Sequence, residues 1–467
     1  MSTKRRRACV CPNEVTTSTG STGDLHACHE TGAAAGDRSS SPSLLDLPLD
    51  VLLEIVARCD AATVLSLAAT CKALRRIILG DDFRRRLALQ AAANGGFDPA
   101  LLLGVSYRLH EHGGAEDDRR LVQAYGRRAR FDESLLGSFT PVASRDGILV
   151  LRREHRDASS GGGGAGQLCA IKTRPLELLV CSTLTGNTSS PPTLSFCDDD
   201  FTYPPALLTV AGAGAGCSFE LLVADSHLTT QTYQSQNGKW GARRAIAMPP
   251  DHPRLGAPVD GCSAAVTGRT VHWLCHKSRP NSGEHAFVVL SVDADTARGT
   301  VTELPRECIG GKTGAFDVHG LHLAGSAADG RLRLVAAGMQ AISVWTLSPS
   351  PEAEEEADRW SQQAVAIHVQ RGIGKTLFGE SWKPIRLDES GRLRSTTRFM
   401  GFTERSGVGI LWMEGGGGLA RFSLATGELA VLRRAPAAGG VRDAGHVSCV
   451  FLHEVDLASL LRTMTCL

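Results

Sequence analysis

The sequence predicts an α+β chain with more than one domain: a small N-terminal three-helix module followed by a large all-β domain, a β-propeller. Three observations carry this. At Leu44 the sequence changes from Ser/Thr/Gly/Ala-rich to apolar residues at helical spacing. From about residue 125, strand-like runs of five to seven residues alternate with Gly, Asp and Asn turns. At 467 residues the chain is too long for one ordinary domain.

Residues 1–43 hold almost nothing to bury and are expected to be disordered. Lys4-Arg5-Arg6-Arg7 reads as a solvated basic start, and the absence of an apolar stretch after it argues against a secretory signal. The 14 cysteines therefore read as reduced thiols inside a cell. Cys9 and Cys11 are one residue apart and Cys28 lies between His26 and His29, but no second closely spaced cysteine pair completes four ligands, so no metal is expected. Fifty basic residues against 49 acidic ones give a net charge of +1, which does not fit a general nucleic-acid binder. No apolar run approaches the ~20 residues that cross a bilayer, so no membrane partner is expected.

The first helix follows Leu47-Pro48-Leu49-Asp50. Pro48 suits a first turn, because its missing N–H would have no partner there. Leu52, Ile55 and Val56 then fall at helical spacing. Asp60 caps a second helix and Thr70 a third, Cys71 to Ile78, closed by Gly80. Three helices in about 35 residues bury too little surface to be robust alone. Their apolar positions outnumber what such a bundle can hide, which implies a partner surface.

Leu47-Pro48-Leu49-Asp50-Val51-Leu52-Leu53-Glu54-Ile55, then Leu65-Ser66-Leu67-Ala68-Ala69-Thr70-Cys71-Lys72-Ala73-Leu74-Arg75, resembles an F-box over residues 44–80. The resemblance implies docking on the adaptor Skp1, which links such proteins to a cullin–RING ubiquitin ligase. The residues it assigns to Skp1 contact or bundle closure are Leu47, Pro48, Val51, Leu52, Ile55, Leu67, Cys71 and Leu74. One departure is Leu74-Arg75-Arg76, where many F-boxes carry Trp. Residues 81–124 read as a helical linker, with a helix from Asp82 to Ala91 whose Arg84 to Arg86 run is a solvated face.

The β domain is expected over 125–467. Its strands include Gly147 to Leu151, Leu176 to Cys181, Phe219 to Ala224, Arg269 to Leu274, Phe287 to Val292, Arg331 to Val335, Ile342 to Leu347, Gly409 to Trp412 and Arg421 to Leu424. Many short strands with short turns fit a sandwich, barrel or propeller. About 340 residues at ~40–50 per blade give roughly seven or eight blades before loops are subtracted. The repeat is degenerate and supports neither WD40 nor kelch. Val223-Ala224-Asp225, Gln231-Thr232-Tyr233, Gly238-Lys239-Trp240-Gly241 and Thr270-Val271-His272-Trp273-Leu274 resemble the β-propeller following the F-box in a plant, grass-type F-box family.

Motifs for chemistry fail on spacing. Gly311-Lys312-Thr313 and Gly374-Lys375-Thr376 lack the earlier P-loop Gly, with Arg306 and Val369 in its place. Asp293-Ala294-Asp295 opens like a calcium loop, but Arg298 and Leu304 stand where Gly and Glu are needed, so it reads as a turn between strands. His272 and Trp273 are strand neighbours facing opposite ways, so one of them is expected to be exposed. No cofactor and no catalytic residue is expected. The resemblance implies a non-catalytic, intracellular substrate receptor, cytoplasmic or nuclear, with Trp273, Trp345 and Trp412 packing blades. Target contacts are expected on turns within Asp225–Tyr233, Cys275–Glu284 and Ser348–Asp358. An F-box scaffold without ubiquitination targets and an enzyme built on the propeller remain open alternatives.

Overall fold

Four helices, α1 (Leu49–Ala57), α2 (Ala61–Thr70), α3 (Lys72–Leu79) and α4 (Asp81–Ala93), precede an all-β ring in the computed structural model. The structure describes residues 47–93, 97–110, 120–123, 132–153, 174–183, 185–196, 203–211, 218–250, 255–259, 262–277, 286–305, 320–326, 329–337, 341–348, 359–362, 367–368, 397–413, 418–433, 446–455, 457 and 461. Expectations for residues 1–43 and for both Gly-Lys-Thr tripeptides lie outside the described residues. The chain divides into two compact units, Met1–Pro48 and Leu49–Leu467.

The ring is a β-propeller of five blades, each an antiparallel meander of four principal strands. Their innermost strands are Phe139–Arg145, Tyr203–Ala211, Ala265–Thr267 (with Leu255–Pro258 on the same neighbour), Leu321–Gly325 and Thr397–Phe402. A three-stranded sheet closes the ring. There the last strand, His446–Glu454, pairs antiparallel with Leu102–His110, which pairs with Arg120–Gln123. The last strand packs between the innermost strands of the fifth and first blades. Two expectations are corrected here. Among the described residues of 81–124, helix runs only from Asp81 to Ala93, apart from the short turn Pro99–Leu101, and two strands then join the closing sheet. The estimate of seven or eight blades is too high because successive inner strands begin 49 to 76 residues apart (Phe139, Tyr203, Leu255, Leu321, Thr397, His446). The connections, not the strands, consume the difference.

Strand alternation explains the near-continuous apolar runs. A strand between two neighbouring blades is buried on both faces. In Ser218–Ala224, Phe219, Leu221 and Val223 pack on Val150 and Val180 of the first blade, while Leu222 and Ala224 join Trp273 and Leu290 of the third. The same division recurs in the fourth blade. Leu332, Leu334 and Ala336 face the third blade; Val335 and Ala337 face the fifth. This two-sided burial also corrects the expectation for His272 and Trp273, both of which are buried.

Charged groups at the C-terminal ends of the innermost strands tie the ring together. Arg405 donates to Asp146 at 2.6 Å, and Arg145 donates to the Leu207 carbonyl at 3.0 Å. Glu404 accepts from the Gly325 N–H at 3.1 Å, while Glu454 accepts from the N–H groups of Arg405 and Ser406 at 3.2 and 3.1 Å. Burial pushes the Glu454 carboxyl up to about 7.

The connection from α4 is fixed on this same end. Phe97 joins Phe399, Phe402 and Phe422 between the fourth and fifth blades, with Arg333 4.7 Å over its ring. The Asp98 N–H donates to the Arg405 carbonyl at 2.8 Å. Gly407, at φ 64°, lies against Phe97 so closely that a Cβ would collide with the ring.

Candidate functional site: an apolar docking face on the helices

Local signals set the helix ends. Asp60 caps α2 through both carboxylate oxygens, accepting from the Thr63 N–H at 2.9 Å and the Thr63 hydroxyl at 2.8 Å. The α3 cap differs from expectation. Thr70 is the last residue of α2 and donates its hydroxyl to the Ser66 carbonyl at 2.8 Å, leaving Cys71 as the N-cap of α3 without a side-chain bond. A hydroxyl inside a helix can bond the preceding turn instead of the next helix's N-terminus. Gly80 closes α3, its N–H donating to the Ile77 carbonyl at 3.1 Å.

Helix α1 carries two apolar stripes. Leu52 and Val56, one turn apart, face inward and are buried. Val51 and Ile55, also one turn apart, face outward, 39% and 43% exposed, and Leu49 is 56% exposed. On α4, Leu89 is 66% exposed. Leu47, 39% exposed, and Pro48, also exposed, close the preceding unit. Among the described residues Leu47, Leu49, Val51, Ile55 and Leu89 are the large hydrophobics that stay exposed, and every one belongs to the region 47–89. The apolar arc of α1 is wider than the ~100° stripe that a core can cover.

The predicted docking residues thus separate by environment. Leu47, Pro48, Val51 and Ile55 present themselves to solvent, while Leu67 and Cys71 are half-buried against the bundle core. Leu52 and Leu74 are buried, and Leu74 packs within that core. At the departure from the common F-box pattern, Leu74 fills the core and Arg75 donates to the Ala68 carbonyl at 2.9 Å, tying α3 to α2.

Helix α4 fixes the pose of α1. Arg86 pairs with Glu54 at 2.6 Å and donates to the Asp50 carbonyl at 3.3 Å. Arg58 pairs with the other oxygen of Glu54 at 2.8 Å. Part of the arginine run expected to be solvated therefore holds a neighbouring helix. Half-exposed pairs of this kind contribute about 0–1 kcal/mol each, so their effect is on orientation more than on stability.

The bundle core contains residues the sequence reading missed. Val455, Leu457 and Leu461 pack with Val56, Ala61, Val64, Ala68, Leu74, Ile78 and Phe83. The Val455 N–H donates to the Leu101 carbonyl at 3.0 Å, continuing the pairing of the last strand. Leu457 and Leu461 stand at helical spacing, so an amphipathic segment was legible. Its partner was not, because it lies more than 370 residues earlier.

On the propeller, polar residues suited to chemistry are used in packing. His272 bridges the Thr267 and Ser291 hydroxyls at 2.7 Å each, and burial pulls its pKa to about 4. Burial pushes the Cys181 thiol up to about 11 and the Cys275 thiol up to about 12, so neither is a thiolate nucleophile. Asp293 accepts from the Asp295 and Thr296 N–H groups, as expected of a turn between strands. Among the described residues, no group of three His, Cys, Asp or Glu side chains is placed to hold a metal ion. No helix of the described residues is long and apolar enough to cross a membrane.

The described tryptophans pack between blades or against the closing sheet. The Trp273 ring N–H donates to the Pro204 carbonyl of the second blade at 2.9 Å, and that of Trp360 donates to the Glu303 carbonyl of the third at 2.9 Å. Trp345 is buried in the core between the third and fourth blades, and Trp412 is half-buried. Of the turns expected to read a target, Asp225 to Leu228 is a turn, but Thr229–Gln234 is a strand with Tyr233 buried. Residues 278–285 and 349–358 lie outside the described residues.

A family model for the F-box domain matches residues 44–86. A second, described as "Domain of unknown function (DUF7595)", matches residues 104–467. No curated protein matches the chain. Solved structures with a distant likeness include the GH93 α-L-arabinofuranosidase of Fusarium graminearum in complex with arabinobiose, at 9% identity and TM-score 0.31, covering 67% of this chain and 76% of that one. The Nup133 β-propeller domain of Vanderwaltozyma polyspora matches at 11% identity and TM-score 0.28, covering 61% and 78%. The WD40 domain of Toxoplasma gondii coronin matches at 11% identity and TM-score 0.28, covering 72% and 77%. Likeness at this distance carries no functional argument.

Proposed function

Because the chain belongs to the DUF7595 family and carries an F-box ahead of that domain, we propose that it is the substrate-recognition subunit of an SCF-type (Skp1–cullin–F-box) ubiquitin ligase. F-box proteins are typically non-catalytic adaptors. The observation that carries the proposal is the row of exposed large hydrophobics on the first F-box helix, Leu49, Val51 and Ile55, where a Skp1-like partner would cover them. The uptake of His272, Cys181 and Cys275 into packing also favours an adaptor over an enzyme built on the propeller.

The mechanism is proximity. A target held beside an activated ubiquitin thioester meets it at a raised effective concentration, and the chain itself forms no covalent bond. Leu47, Pro48, Val51 and Ile55 supply adaptor contact, while Leu52, Leu67, Cys71 and Leu74 close the bundle beneath it. The target falls to turns of the propeller. Phe97 and Val455 anchor the helices at the end where Arg145, Gly325, Phe402 and Glu454 finish the innermost strands. Antiparallel alternation sends the Asp225–Leu228 turn to the other end, clear of the helices. Such an adaptor works inside the cell, in cytoplasm or nucleus.

The test is affinity purification of the full chain and of a Val51→Asp/Ile55→Asp variant, followed by mass spectrometry and a ubiquitination assay on co-purified proteins. A Skp1-type adaptor and a cullin should accompany only the unaltered chain. Capture of an adaptor without ubiquitination of any co-purified protein would point to a scaffold. Equal capture by both chains would remove the assigned face.

A further inference from the structure

We infer that the adaptor-docking helices are not a self-standing module: the segment after the last propeller strand completes their core, so presentation of the docking face depends on closure of the β ring. This rests on the proposed adaptor function of that face. Its physical part concerns the chain alone.

Three observations carry it. Val455, Leu457 and Leu461 are buried among residues of α1 through α4, so the bundle core is built from two ends of the described sequence. The last strand leads directly into that segment and is held on both sides. It pairs with Leu102–His110 on one side and receives the Ser144 hydroxyl of the first blade at the Leu452 carbonyl, 3.3 Å, on the other. Glu454, immediately before Val455, accepts from two backbone N–H groups of the fifth blade. A ring that opens at this seam cannot keep Val455 on the Leu101 carbonyl, and the leucines beyond it leave with the strand.

The consequence lies in α1. Val56 and Ala57 contact the sealed core, whereas Leu49, Val51 and Ile55 remain exposed. The seal supports the face from behind without covering it. Four short helices are marginal by themselves, so losing part of their core frays the helix that carries the face. A chain whose propeller is not closed therefore does not recruit the ligase, and docking reports on the integrity of the target-reading domain.

Two measurements on the full chain decide this. In native-state hydrogen exchange on the unaltered protein, amides of α1–α3 should exchange through the same opening as those of His446–Glu454, with the same denaturant dependence. In a Leu457→Ala/Leu461→Ala variant, binding of a purified Skp1-type adaptor should weaken at least tenfold while the β-sheet circular dichroism persists, and Leu457→Met/Leu461→Met should restore it. Helices that open on their own while the last strand stays protected would overturn the inference, as would undiminished binding by the Ala variant. If the Ala variant loses its β fold, the exchange result on the unaltered chain decides. Failure of the unaltered chain to bind any adaptor removes the proposed function and leaves the exchange test intact.

Discussion

Truncating Val51 and Ile55 to Ala tests whether the outward stripe of α1 works as a docking face. Each side chain is about 40% exposed in the free chain. Complete burial of a Val or Ile is worth about 1.5–3 kcal/mol, so the exposed part offers a partner about 1 kcal/mol per residue. The pair gives about 2 kcal/mol, or roughly a 30-fold rise in Kd at 1.4 kcal/mol per decade. The share already buried belongs to the fold and lowers the melting temperature only modestly. Leu52→Ala is the control. That side chain is buried, so its loss should cost about 2–5 kcal/mol of stability and affect binding only through unfolding. The assay is calorimetric titration with a purified Skp1-type adaptor, well below both melting transitions. Unchanged affinity in Val51→Ala/Ile55→Ala, with α1 still helical, refutes the reasoning.

Three further outcomes follow from the packing. Trp273→Ala should lower the melting temperature through a cavity worth about 3–5 kcal/mol and the lost bond to Pro204, while exchange of Ser226 and His227 at the tip of the Asp225–Leu228 turn, which keeps the buried Asp225 and the packed Leu228, should abolish target capture and leave the melt nearly unchanged. Selective loss of a ligand by a fully stable Trp273 variant would reverse that assignment. Gly407→Ala should destabilise the chain by more than ~1 kcal/mol, because a Cβ is strained at φ 64° and meets Phe97, so its thermal melt should fall clearly below that of the parent. Two opposing pH effects should appear in Tm measured from pH 4 to 8. Burial holds His272, His322 and His453 at about 4, so their contribution is present above pH 6.5 and is lost as pH falls toward 4. Burial raises Glu454 from 4.5 to about 7, so its contribution is present below pH 4.5 and is lost as pH rises through 7. The stability of the parent relative to Glu454→Gln should therefore decline by a few kcal/mol (order of magnitude) between pH 4.5 and 7; a constant difference would contradict the burial of that carboxyl.

The helices and the strand interiors were legible because their signals are local. Asp60 followed by Ala61 to Leu67 specifies a capped helix whatever surrounds it, and Ser218–Ala224 is a strand by composition and by the turns that bound it. The F-box rested on one short ordered string of residues, so it too could be read without a partner. Periodicity did not separate Leu52 from Val51, or Leu74 from its neighbours, into core and surface. A 100° rotation along one helix decides that, and only packing fixes the rotation.

Three features belonged to the tertiary structure alone. The strand Leu102–His110 pairs with a strand more than 300 residues away, and no local pattern encodes that register. Burial of both His272 and Trp273 requires a second blade on the far face of their sheet, whereas strand alternation alone predicts one buried and one exposed. The placement of Val455, Leu457 and Leu461 inside the helical core depends on ring closure bringing the last strand beside the residues that follow α4. Local chemistry determined what each segment is. Long-range closure of the propeller decided which segments meet, because contacts between distant residues form only when the whole ring is assembled.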